Sequence, residues 1–422
     1  MLNRANQPKA FTPGFKPYTL PDKIELNKYL TLYSFNQGDQ QVFKIELLFS
    51  SGAINSDNPV LSSFCVSILR EGSLKRSASE INDLIDYYGA FLDLKSGIDS
   101  TSISLYGRSE YLHELIAILQ EVVLQPIFPD KMISKHKERL KQKLKINNKK
   151  TSYWAPRLLR QSIFGKVNNY GKLVSEEDID KLRRDELVEY HKNVLLPSLQ
   201  KIILAGSYNN EKAINLIKAK FSSINGNNNL VETISQPKFR PSIIQKNLEG
   251  TTQASLALGK PIFSIDNPTY PEIGFLIKVL GGYFGSRLMK KLREDKGLTY
   301  GIHAFNIHLK GGSYLQISAD VESSSTDKSI ELIFKEFETL KNEPVLIEEL
   351  ETVKNYMLGE YINDSNSVFD FTELHKKILL YELTDSFYES FYSAISRIDS
   401  KTLIQHANSI LNQDDFSIVK VL

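Results

Sequence analysis

Residues 77–105 read SASEINDLIDYYGAFLDLKSGIDSTSISL, and residues 285–309 read GSRLMKKLREDKGLTYGIHAFNIHL. Each is a helical stretch stopped by a glycine and followed by a hairpin of alternating apolar and polar residues. In the first, Ser77 caps the helix and Glu80, three residues on, completes a capping box. Gly89 ends it, and Phe91-Leu92-Asp93-Leu94-Lys95 opens a hairpin returning through Thr101-Ser102-Ile103-Ser104-Leu105. In the second, a helix over 285–294 ends before Gly297, and strands over 298–309 and 312–321 follow. The two stop glycines lie 208 residues apart.

The elements flanking these two units repeat in the same order. In the first half, strand 42–49 places Phe43, Ile45, Leu47 and Phe49 on one face. Helices over 60–71, 109–125, 130–147, 155–164 and 183–193 and a closing strand over 200–205 complete it. The second half has a strand over 253–259, helices over 269–281, 325–341, 346–362, 370–381 and 399–411, and a final strand over 416–421. The pattern predicts an α+β fold of two duplicated domains, each an antiparallel-rich mixed sheet with helices packed on one face. The expected divisions are an extended N-terminal arm (1–22), a first domain (23–222), a linker (223–245) and a second domain (246–422). The linker is centred on Ser223-Ile224-Asn225-Gly226-Asn227-Asn228-Asn229.

Composition narrows the function. The chain has 422 residues, 52 basic against 50 acidic, so charge gives no reason to expect nucleic acid. One cysteine, Cys65, cannot form an internal disulfide. No apolar run is long enough to span a membrane, and no apolar stretch follows the N-terminal basic residue as in a signal peptide. A cytoplasmic protein is the expectation.

Residues 60–73 read Val-Leu-Ser-Ser-Phe-Cys-Val-Ser-Ile-Leu-Arg-Glu-Gly-Ser. In length and apolar rhythm this helix resembles the one on which insulinase-type (pitrilysin, M16) zinc peptidases carry His-x-x-Glu-His. The corresponding positions here are Ser63, Val66 and Ser67. Residues four apart on a helix share a face, so imidazoles at 63 and 67 could reach one ion, with a carboxylate at 66 as general base. A neutral serine hydroxyl is a weak zinc donor, and valine can neither accept a proton nor orient a water. The resemblance also implies a distal glutamate, and its count falls on Leu144, between Lys143 and Lys145. No Asp or Glu occurs between Glu138 and Glu176. Ligands and base are missing together, so no metal or other cofactor is expected on this chain.

Other clusters offer no substitute. Of seven histidines, none pairs with another at three- or four-residue spacing, and His303 and His308 fall on opposite faces of a strand. Cys65 lies on another side of its helix from Ser63 and reads as a small buried hydrophobe.

What persists is Gly285-Ser286-Arg287-Leu288 through Gly297-Leu298-Thr299-Tyr300. In the resembled family an arginine and a tyrosine seven residues later reach across to the zinc site, which implies substrate-binding roles for Arg293 and Tyr300. A guanidinium can donate to a peptide carbonyl and a phenol to an oxyanion. Arg287 reads as an anchor for its helix. The basic helix over 131–150 reads as a solvated face or a surface for an acidic partner.

The resemblance implies a zinc-motif-less subunit that pairs with a zinc-bearing subunit of the same family, or with itself, around a chamber for peptide substrates. Zinc would then belong to the partner, and substrate would add as a strand to a sheet edge. A non-enzymatic structural or peptide-binding subunit with the same fold is the competing expectation.

Overall fold

A computed structural model of the protein describes residues 14–226 and 238–422. The start of the expected arm and the middle of the expected linker lie outside the described residues.

Two sheets organise the molecule. The first contains β1 (Asp22–Glu25), β2 (Thr31–Asn36), β3 (Val42–Phe49), β4 (Phe91–Ser96), β5 (Thr101–Arg108) and β6 (Leu199–Gly206), in the order β1-β2-β6-β3-β5-β4. The second contains β7 (Ile243–Lys246), β8 (Gln253–Ile262), β9 (Thr299–Ile307), β10 (Ser313–Glu322) and β11 (Ser417–Val421), in the order β7-β11-β8-β10-β9. Setting β1 aside, the orders correspond strand for strand. β2 runs parallel to β6 as β7 does to β11, and every other pairing is antiparallel. The duplication legible in the sequence is therefore a duplication of topology. Gly89 (φ +58°) and Gly297 (φ +61°) both take the left-handed turn that ends the preceding helix before the hairpin. The Ser77–Glu80 capping box forms as expected.

β3 shows how the core is arranged. Phe43, Ile45, Leu47 and Phe49 face the main apolar core of the first half. The opposite face, with Lys44, Glu46 and Leu48, is buried too. Helices of the same half cover only one face, as expected, so the other must be covered from elsewhere.

The halves do this for each other. The helix Val368–Tyr381, from the second half, sets Leu374, Ile378 and Leu379 against Leu48, Ile203 and Ala205 of the first sheet. The helix Thr151–Phe164, from the first half, sets Ala155, Leu159 and Ile163 against Ala257, Val419 and Val421 of the second. Both sheets are thus covered on both faces, the second time by the other half.

Polar contacts reinforce this exchange. The Tyr170 hydroxyl donates to Asp99 in the β4–β5 turn and accepts from the Gly311 N–H (2.8 Å) in the β9–β10 turn. Asp99 also accepts from the Lys310 N–H (2.9 Å). Residues at the end of the expected arm belong to the same seam: Phe15 stacks on Tyr392, and the Tyr18 hydroxyl meets His375 Nδ1 at 3.0 Å. Among the described residues, no helix is long and apolar enough to cross a membrane.

Burial holds the His375 and His308 imidazoles down at about 4. Unfolded, each takes a proton near 6.5, so between these values the unfolded chain binds more protons than the folded one. Their contribution is present above pH 6.5 and lost as pH falls toward 4, by up to about 3 kcal/mol each. Denaturant midpoints measured from about pH 7.5 to about pH 4.5 should fall over this window, and less steeply in His375→Gln.

Candidate functional site

The helix matching the zinc-motif position spans Leu61–Ser67. Ser63 and Ser67 are exposed on one face, as their spacing requires. Each hydroxyl turns back on its own helix, Ser63 Oγ donating to the Val60 carbonyl (3.1 Å) and Ser67 Oγ to the Phe64 carbonyl (2.8 Å). Val66 is 1% exposed and Leu144 4%, both in the main core. The position of the base and the distal ligand position have become packing positions. Cys65 lies beneath them, its thiol pushed well above the usual range by burial and directed at the Leu187 carbonyl (3.6 Å).

The residues present do not fit zinc. Glu71 and His136 come within 2.9 Å of each other nearby, a pair that sequence spacing alone did not single out. A pair is not a site: among the described residues, no group of three His, Cys, Asp or Glu could hold a metal ion. His303 is exposed on β9, whereas His308 lies past the strand's end with Nδ1 3.0 Å from Ser313 Oγ. Restoring the motif's carboxylate as Val66→Glu should cost about 3–5 kcal/mol, since it buries a charge without a partner. A thermal melt measures this, and an unchanged melting temperature would show that the position accepts a charge and is open to water.

The second-half segment is built differently. Arg287 fixes its start: the guanidinium makes a two-pronged contact with Glu349 (2.9 and 2.9 Å) and a third to Glu336 (3.2 Å). Burial lowers this group's pKa, but Glu349 and Glu336 outweigh burial and raise it. Arg287 is the anchor expected of it. Met289–Asp295 then forms a wide π-helical turn with Met289 and Leu292 buried beneath. Its end is closed by the Gly297 N–H to the Arg293 carbonyl (3.1 Å) and the Leu298 N–H to the Leu292 carbonyl (2.8 Å).

Thr299 sets the direction of the next side chain. It is buried, and its Oγ1 donates to the Asp320 and Gly301 carbonyls (2.7 and 2.8 Å). Side chains alternate along a strand, so Tyr300 points the opposite way and is 93% exposed. Arg293 stands on the same corner, its guanidinium 4.6 Å above the ring of Phe284. Among the described residues, Arg293 has no ion pair or side-chain hydrogen bond. Phe284 is itself 62% exposed, a partner that sequence reasoning missed although it directly precedes Gly285.

Tyr300 also lines a cleft of about 430 Å³ between β8–β10 and the N-terminal end of the helix Thr151–Phe164. Ser152, Pro156, Ser255 and Asp320 are among its other walls. The Arg293/Tyr300 corner shares no hydrogen bond or ion pair with Ser63 or Ser67, which lie on the other half. The helix bearing those serines packs instead beside β4, an edge strand, through Ser62 Oγ and Ser96 Oγ (2.7 Å).

The basic helix, Asp130–Asn148, is partly tied down. Lys137 donates to the Asp180 and Leu182 carbonyls (3.0 and 2.7 Å), and Lys141 pairs with Asp180. Lys131, Lys135, Arg139 and Lys143 are exposed.

Known proteins resemble this chain in sequence and in fold. A family model described as "Peptidase M16 inactive domain" matches residues 181–357, which include Arg293 and Tyr300. An uncharacterized zinc protease, YmxG, of Bacillus subtilis is 23% identical over 300 residues, covering 71% of this chain and 73% of the relative. A non-peptidase homolog, YmxG, of Helicobacter pylori is 23% identical over 322 residues, covering 75% and 74%. In fold, the chain is similar to a crystal structure of a peptidase M16 inactive domain from Pseudomonas fluorescens. The TM-score is 0.85 at 21% identity, covering 95% of this chain and 98% of the other.

Proposed function

We propose that this chain, which belongs to the insulinase/pitrilysin-type M16 family as a member without the zinc motif, lends Arg293 and Tyr300 to a composite metallopeptidase site on a zinc-bearing partner of the same family. The observation that carries this reading is the contrast between the two loci. Ser63 and Ser67 are satisfied within their own helix, and Val66 and Leu144 have joined the core. Arg293 and Tyr300, by contrast, are held at a corner by a buried and well-bonded framework while their own polar ends stay unused. A fold gains little from a tyrosine that is 93% exposed on an edge strand. A phenol and a guanidinium held ready by Thr299 and Arg287 suit a peptide backbone supplied from outside.

In this role Arg293 would donate to a substrate carbonyl and so orient the chain, and Tyr300 to the oxygen on which negative charge develops. The partner's metal would supply the activated water. The exposed edge strand β9, which carries Tyr300, offers unpaired backbone groups to an extended peptide.

Sedimentation of this chain with a zinc-bearing M16 homologue from the same source tests the partnership. The expected result is a one-to-one complex that does not form with an unrelated zinc peptidase. Self-association alone would favour a peptide-binding homodimer. A complex whose stability and activity ignore Arg293 and Tyr300 would favour a structural subunit.

A further inference from the structure

A second cleft, of about 730 Å³, lies in the second half, and the Arg293/Tyr300 corner makes no use of it. Its walls are aromatic: Tyr270, Tyr361, Tyr388, Tyr392, Phe387 and Phe391 all line it. These rings pack on one another, with centroids 4.9 Å apart for Tyr361–Tyr392, 5.2 Å for Phe391–Tyr392 and 5.7 Å for Tyr270–Phe391. Rings braced in this way keep the cleft open and rigid, as a preformed ligand site requires.

The two ends carry opposite charge. At one end Lys377 lines the cleft, and among the described residues its ammonium has neither a carboxylate partner nor a hydrogen bond. It lies 5.7 Å from the Phe387 ring and near the His308 imidazole, whose pKa burial and then this ammonium lower. Burial holds its pKa down to about 8. An unpaired ammonium against aromatic walls lowers the stability of the fold, so folding gives no reason for it.

At the other end stand Glu360, Asp364 and Asp370; Glu373, one turn before Lys377, also lines the cleft, but its carboxylate is taken by Lys44 (2.6 Å) and Lys376. Glu360 is taken by Lys278 (2.8 Å), and Asp370 by the cap of its own helix through Ser367 N–H (2.9 Å). Among the described residues, the Asp364 carboxylate has no such partner. Asp364 is exposed at the rim, where partial desolvation, followed by the neighbouring carboxylates of Glu360 and Asp370, raises its pKa.

The spacing selects a ligand. Asp370 and Lys377 lie seven residues apart on the helix Val368–Tyr381, so the two ends of the cleft are roughly 10 Å apart along its axis. An extended tripeptide spans about the same length.

We propose that this cleft binds short peptides of about three residues with free termini and apolar side chains, the C-terminal carboxylate on Lys377 and the amino group at the Asp364 end. Such peptides are the chemical class released by peptide hydrolysis. The site itself stands apart from the composite-site reading, because it is complete within this chain.

Titration calorimetry of the full chain with trileucine tests the proposal, alongside its C-terminal amide and its N-acetyl form. The expected result is saturable binding of trileucine, at least about tenfold weaker for the amide, since a charged hydrogen bond is lost. The acetyl form and Asp364→Asn should weaken binding several-fold. Lys377→Met should erase the difference between acid and amide while melting no lower than the parent protein. Equal affinity for acid and amide, or no saturable binding of trileucine to the folded parent chain, would overturn the proposal. The amide comparison needs no variant, so a Lys377→Met chain that failed to fold would leave the test intact.

Discussion

Tyr300→Phe is expected to slow peptide hydrolysis by the assembled pair about 10²–10³-fold, the loss typical of one oxyanion donor, while leaving the chain's own stability within about 0.5 kcal/mol. The two halves of this expectation come from the same geometry. The Tyr300 side chain is 93% exposed, so the fold does not depend on its hydroxyl, and any large effect must arise in contact with another molecule. Arg293→Ala should behave alike in stability but differ in kinetics. An interaction made equally in the ground and transition states raises KM when lost, whereas one made only in the transition state lowers kcat when lost. Arg293, as a donor to a substrate carbonyl, should act chiefly on KM, and Tyr300 on kcat. Arg287→Ala is the contrasting control. It strips Glu336 and Glu349 of their partner in a mostly buried cluster, so it should lower stability first and rate only as a consequence.

Lys44→Met is expected to cost about 3–5 kcal/mol, the loss typical of a buried pair from which one partner is removed. Lys44 is 2% exposed and Glu46 1%, on the face of β3 turned toward the helix Val368–Tyr381. The Lys44 ammonium reaches Glu46 at 2.8 Å, Glu373 at 2.6 Å and Thr372 Oγ1 at 3.0 Å, and Lys376 reaches Glu46 at 3.0 Å. Burial alone would lower the Lys44 pKa, but Glu46 and Glu373 outweigh it and hold the group above its usual range. Removing the lysine leaves a carboxylate inside the seam with only Lys376 to answer it. The double variant Lys44→Met/Glu46→Leu should recover most of the loss, because two apolar side chains replace the pair without an orphaned charge. Urea midpoints for the single and double variants measure both effects. Equal losses in the two would show that an orphaned Glu46 carboxylate is not the source of the loss.

The parts of the structure legible in the sequence are those set by local spacing. A capping box at Ser77, glycines at 89 and 297 and two-residue alternation are short-range signals, and they located the duplicated helix–hairpin units. The replacement of the His-x-x-Glu-His positions by Ser63, Val66 and Ser67 was equally legible, because the motif's two histidines and base must share one short helix. β1 and β7 were missed for a physical reason. Asp22–Glu25 and Ile243–Lys246 are short edge strands with largely exposed side chains, held through their backbones to β2 and β11. Thus residues 243–245, expected in the linker, belong to the second sheet. The helix Phe387–Arg397 was missed as well, its aromatic residues being poor helix signals. The exchange of covering helices could not be read at all, since it depends on residues far apart in the chain meeting across the seam, Thr151 with Ser255 and Lys44 with Thr372. At the candidate site, the family resemblance pointed to Arg293 and Tyr300, but their exposure and the stacking on Phe284 are tertiary facts.

The most direct measurement is hydrolysis of a quenched fluorescent peptide by the zinc-bearing homologue at fixed zinc, with and without this chain, and then with its Tyr300→Phe form. A composite site requires activity that appears only in the mixture and falls about 10²–10³-fold with the variant. Equal rates with and without this chain, in a sample where the complex has been shown to form, would contradict it.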